Sequence, residues 1–166
     1  MLHKLDEISV IIKKQIDIYK NIKDLYNEKR NILIAGDLTL LEKTDNEIII
    51  KASEVNKYEK RRQTICNELG INQNGGNLSE IINYGLNNGY DAQNFINMKE
   101  TINSLVDEIK ELDKINRALI SKTSEIIDST IKIITNNIFI STCEYNNTGQ
   151  KNENYGIELS SIVEEG

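Results

Sequence analysis

The sequence predicts an all-α protein. The expected architecture is an elongated antiparallel helical hairpin plus one long third helix, a three-helix coiled-coil-like bundle, with a short extra helix and a disordered C-terminal tail. Three observations predict it. Pro, the residue most costly inside a helix, is absent from all 166 residues. Aromatic residues make up only 5% of the chain and charged residues 28%, a composition that suits long solvated helices better than a dense globule. A heptad seam also runs in alternating steps of three and four through Phe95, Met98, Ile102, Leu105, Ile109, Leu112, Asn116, Leu119, Thr123, Ile126, Thr130, Ile133, Asn137 and Ile140. Apolar side chains recurring every 3.5 residues let one helix bury a stripe against others.

The first helix is predicted over 2–35. Its seam is Leu5, Ile8, Ile12, Tyr19, Ile22, Tyr26 and Leu33, interrupted by Gln15 and Lys29. Ile11, Ile18, Leu25 and Ile32 widen the stripe, so this helix should pack against two others. Gly36 stops it and Asp37 can cap the next, which makes the second helix antiparallel to the first. That second helix is predicted over 38–69. Its thinner seam is Leu38, Leu41, Ile48, Ala52, Val55, Ile65 and Leu69, with Asp45 and Glu59 as acidic exceptions.

Ile71 to Asn77 contains Asn-Gly-Gly-Asn and reads as a loop. Asn77 with Glu80 has the spacing of a capping box, opening a short helix over 78–84 that Gly85, Asn87, Asn88 and Gly89 then break. Leu78, Ile81 and Ile82 should pack over the end of the bundle. The last helix is predicted over 91–142, behind Asp91 as N-cap, and at 1.5 Å per residue it would be about 70 Å long. Residues 1–142 are thus read as a single bundle domain, and 143–166 as a flexible acidic tail. That tail is rich in Asn, Gly and Glu and too poor in apolar residues to offset its ordering entropy.

Charge and composition exclude several functions. Of the net charge of −6, the tail carries −4 (five glutamates against Lys151), leaving −2 for the helices. A near-neutral body lacks the coherent basic face of a nucleic-acid binder. Lys57, Lys60, Arg61 and Arg62 are interleaved with Glu54, Glu59 and Glu68 and read as ion pairing on a helix surface. No apolar stretch approaches the length needed to insert in a membrane, and Met1 to Gln15 lacks the pattern of a secretory signal. Cys66 and Cys143 form no metal or redox spacing. These features point to a reduced, cytoplasmic protein. His3 is the only histidine, no Glu-x-x-His pair repeats, and no phosphate-binding loop is present. The chain is therefore read as non-enzymatic, with no catalytic or metal-binding residues and no cofactor.

The last helix changes character at Asn116. From there one seam position is repeatedly Asn or Thr, while a neighbouring column, Ile120, Ile127 and Ile134, becomes apolar. The first two helices are each about 15 residues shorter than the third. The extra apolar face is either covered by the short helix or offered to an amphipathic partner helix. A structural, self-associating coiled coil or adaptor is the alternative reading of the same seam.

Three stretches resemble the FlgN family of flagellar type III export chaperones. The run Glu111-Leu112-Asp113-Lys114-Ile115-Asn116-Arg117-Ala118-Leu119-Ile120-Ser121-Lys122-Thr123-Ser124-Glu125-Ile126-Ile127 is similar to the family's signature on its last long helix. Glu28-Lys29-Arg30, followed by Ile34-Ala35-Gly36-Asp37-Leu38, is similar to its first hairpin. Tyr145-Asn146-Asn147-Thr148-Gly149 is similar to a Tyr-to-Gly motif after the last helix, with Asn146 where Gly is usual. The resemblance covers about Leu5 to Gly149. It implies a cytoplasmic chaperone, monomer or weak dimer, that binds the C-terminal amphipathic helix of the hook-associated junction proteins FlgK and FlgL. It further implies delivery of that cargo to the cytoplasmic domain of the export gate protein FlhA. The cargo-binding residues implied are Asn116, Leu119, Ile120, Thr123, Ile126, Ile127, Thr130 and Ile134. Those implied for gate docking are Tyr145 and Gly149, with Tyr155-Gly156 as an alternative position.

Overall fold

A computed structural model describes the backbone over residues 2–71 and 76–141 and the side chains over 3–71 and 76–135. It contains four helices: α1 (Leu2–Ala35), α2 (Leu38–Glu68), α3 (Leu78–Asn87) and α4 (Gln93–Ser141). No strand occurs among the described residues. By packing, the chain forms two compact units, Met1–Ile120 and Ser121–Gly166.

The first unit holds the core. The turn between α1 and α2 closes as its residue types dictate: Gly36 N–H donates to the Ile32 carbonyl, and the Asp37 carboxylate accepts from Leu40 N–H at 3.0 Å. The two helices run antiparallel, because partners that rise in number along α1 fall along α2. Lys4 pairs with Glu68, Glu7 with Arg61, Gln15 with Glu59, and Lys29 with Asp45. The polar interruptions of the first seam, Gln15 and Lys29, thus face the acidic exceptions of the second. A polar pair at a seam position favours one alignment of two helices over a slipped one.

Helix α4 runs parallel to α1. Tyr90 hydroxyl donates to Asp6, Asn94 amide to Ser9, and Lys23 to Glu108, pairs separated by 84, 85 and 85 residues. Adding the offset of 85 to Ala35, the last residue of α1, gives Ile120, the last residue of the unit. That residue lies inside α4, at the level where α1 ends and has no further residue to pair with it. Along the wide stripe on α1, Leu5, Ile8, Ile11, Ile12, Ile16, Ile18, Ile22 and Ile32 are buried, while Tyr19, Leu25, Tyr26 and Leu33 are half-buried.

The short helix closes one end of this core. Asn77 caps α3 by accepting from Glu80 N–H at 3.0 Å, and Ile81 and Ile82 join Leu5, Ile65, Cys66 and Phe95 in one cluster. The expected stop at Gly85 does not occur. Gly85 is buried, and α3 continues until Tyr90 N–H and Asn88 N–H bond back to the Gly85 carbonyl. Ile71, expected in a loop, is core. Its N–H donates to the Cys66 carbonyl at 2.8 Å while Gly70 N–H donates to Asn67, the two bonds of a Schellman ending with its buried apolar residue. Asp91 opens α4 by accepting from Gln93 N–H. Leu38, expected in the second seam, is 77% exposed because it sits at the open turn of the hairpin.

The second unit begins at Ser121. Every described side chain over residues 121–134 is exposed. The stretch read as an acidic tail, 143–166, lies outside the described residues.

Candidate functional site

Through the first unit α4 keeps one side toward the core. Phe95, Met98 and Leu105 are buried there, with Ile102 and Ile109 packed at the margin. Asn116 ends this stretch. It is 1% exposed, and its amide Nδ2 donates to the Tyr26 carbonyl at 3.0 Å. Its Oδ1 is buried without a hydrogen-bond partner among the described residues. Asn116, named from the family resemblance as a cargo residue, is thus bonded to α1 in the free chain.

One turn later the apolar side of α4 is open. Leu119 is half-buried, while Ile120, Ile126, Ile127 and Ile134 are all 45% exposed or more, and Ile126 reaches 66%. Thr123 and Thr130 are exposed with them. Two further isoleucines, Ile131 and Ile133, are more than half exposed and were missed as candidates. The signal for Ile131 was present, since it follows Ile127 by four residues and precedes Ile134 by three. At about 100° per residue, the apolar side chains of 126–134 follow one another round an arc of about 160°. Ser121, Glu125, Asp128 and Lys132 occupy the remaining side. Thr130 hydroxyl donates to the Ile126 carbonyl at 2.8 Å, so its polar atom is already satisfied within the helix. An apolar partner can cover this furrow without stranding that group.

The chemistry buried in the first unit is of another kind. Arg62, read from the sequence as a surface residue, is buried. Its guanidinium donates to both Glu59 oxygens, at 2.5 and 3.1 Å, and to the Gly76 carbonyl. Burial works against the charge on Glu59. Hydrogen bonds and charge from Arg62, with hydrogen bonds from Gln15 and Gln63, nevertheless hold its carboxyl below the ordinary value. Burial also pushes the Cys66 thiol up, away from the reactive thiolate. Gly76 sits over Cys66 with φ +67, and a Cβ there would meet Cys66 Cβ at 2.6 Å. The network ties α1, α2 and the chain entering α3 together.

Among the described residues, no group of three or more His, Cys, Asp or Glu could hold a metal ion. No helix among them is long and apolar enough to cross a membrane. Tyr145 and Gly149 lie outside the described residues. No curated protein and no solved structure matches the chain. A family model described as FlgN protein matches residues 1–153, which includes all four helices. The chain belongs to the FlgN family of flagellar export chaperones.

Proposed function

We propose that the protein binds the C-terminal amphipathic helix of the hook-associated proteins FlgK and FlgL and delivers them to the cytoplasmic domain of the export gate protein FlhA. The observation that carries the cargo reading is the exposed apolar arc on α4, with Ile126 at 66%, Ile127 at 53% and Ile134 at 52%. Large contiguous apolar surfaces of this kind mark docking sites. A helix laid in a groove is read through anchors at i, i+3, i+4 and i+7, the spacing these isoleucines offer in turn. Leu119, Ile120, Thr123, Ile126, Ile127, Thr130 and Ile134 are the cargo contacts in this reading. Thr123 and Thr130 at the middle of the arc reduce the apolar area, which suits a partner that must later be released.

Ile120→Asp combined with Ile127→Asp abolishes co-purification of FlgK and FlgL while circular dichroism stays helical. Loss of helicity together with binding would make the face ordinary core and overturn the reading. Tyr145, with Gly149, is the proposed gate contact. Tyr145→Ala weakens binding to FlhA and leaves cargo affinity intact, and unchanged FlhA binding removes that role.

A further inference from the structure

The buried side chains of the first unit are unevenly spread. α1 buries an apolar residue at every turn up to Ile22, and beyond it only Ile32. Among the described residues, α2 buries no apolar side chain before Val55, and α4 buries none after Leu105. The two apolar clusters end at Ile22 and Tyr26 on α1, Val55 on α2 and Ile109 on α4, and Ile32 belongs to neither. What is buried toward the α1–α2 turn is largely polar: Thr44 on α2 and Asn116 on α4. We propose that α4 lifts off the hairpin between Leu112 and Ile120 while the core around Phe95 stays closed. This opening belongs to the free chain and does not depend on the cargo reading above.

Asn116 is the anchor that has to let go, and it is a poor one. Its bond to the Tyr26 carbonyl is offset by Oδ1, which the closed state strands without a partner and water would satisfy on opening. The ion pair of Lys23 with Glu108, one turn or two below, is partly exposed and so adds little. The two legs of the hairpin are better joined to each other. Lys29 Nζ pairs with Asp45 at 2.6 Å, its side chain 15% exposed, so α1 and α2 stay together when α4 leaves. Segments that bury few apolar side chains open at a small fraction of the cost of global unfolding. Lifting frees Leu112 and Ile115, both half-buried in the closed state. The length of open apolar face on α4 is therefore set by this equilibrium as well as by where α1 ends.

The test is thiol labelling of the full chain carrying Asn116→Cys, with Cys143→Ser so that Cys66 is the only other thiol. Position 116 is 1% exposed and Cys66 0%, so a bundle that opens only as a whole protects both alike. Peptide mass spectrometry reads the two rates separately. The thiol at position 116 should react at least about a hundredfold faster than Cys66. Adding Ile12→Val, which thins the core, should speed labelling of Cys66 about fivefold and leave position 116 within about twofold. Equal rates at the two thiols overturn the proposal, and so does a parallel acceleration of both by Ile12→Val. Amide exchange over residues 25–35 completes the test, because these amides stay protected if α4 lifts from an intact hairpin. If they exchange as fast as position 116 is labelled, the hairpin itself melts and the proposal is wrong. An Asn116→Cys chain that circular dichroism shows to be unfolded also overturns it, since Asn116 would then be a strong anchor.

Discussion

Replacing Gly76 by Ala should be among the most damaging single-methyl changes in the chain, and the structure says how damaging. Gly76 has φ +67, and an L side chain in that left-handed region costs about 1–2 kcal/mol. The added Cβ would also stand 2.6 Å from Cys66 Cβ and 2.9 Å from its Sγ, so the segment must lift away from α2. Lifting it weakens the hydrogen bond from the buried Arg62 to the Gly76 carbonyl, and one with a charged donor is worth about 1.5–3 kcal/mol. Together these effects amount to roughly 3–5 kcal/mol. Gly36→Ala is the control: its φ is +72, but a Cβ there meets nothing within 4 Å, so only the backbone strain applies. Urea unfolding followed by circular dichroism compares the two variants. The expected result is a Gly76→Ala midpoint well below that of Gly36→Ala, with a thermal midpoint roughly 10 °C below wild type. Equal losses in both variants would refute the close-packing argument and leave the Arg62 network without a structural role.

Two further outcomes follow from the same contacts. Because the folded-state pKa of Glu59 is lowered, its ionised form contributes stability that is present in full above the ordinary value of 4.5 and is lost as pH falls through the lowered one. Glu59→Gln should therefore unfold less steeply with acid than wild type below about pH 4.5, and identical acid-unfolding slopes would contradict the pairing. Asn116→Leu removes a buried acceptor that lacks a partner and fills a seam position with apolar volume. Its thermal midpoint should equal or exceed that of wild type, by up to about 1 kcal/mol in stability, and a marked loss would mean that the bond to Tyr26 outweighs the unsatisfied oxygen.

The helices were legible in the sequence because their signals are local. Gly36, Asp37 and Asn77 act on their nearest neighbours, and heptad repeats report which side of a helix is apolar. Three features depend on distant partners and were not legible. Arg62 sits in a basic run that reads as surface, and only the fold brings Gly76 and Glu59 to its guanidinium. Gly85 looks like a breaker until the Asn88 and Tyr90 N–H groups bond to its carbonyl. Asn116 shares its heptad column with Thr123 and Thr130, yet it is buried while they are exposed. The difference is set by where α1 ends, a matter of helix register that no single stretch of sequence contains. The open isoleucine face lay within reach of sequence reasoning, since length alone told that the hairpin was too short to cover α4. Its full width did not, because Ile131 falls outside both the heptad seam and the neighbouring column of Ile120, Ile127 and Ile134.

The proposed cargo face is α4 beyond Asn116. Amide hydrogen exchange along α4, measured with and without FlgK or FlgL bound, tests it most directly. In the free chain the amides of residues 95–112, packed in the core, should already exchange slowly, and those of 119–134 faster. Bound cargo should slow exchange across 119–134 and leave 95–112 nearly unchanged. Protection confined to α1, α2 or α3, with 119–134 exchanging as in the free chain, would contradict the account.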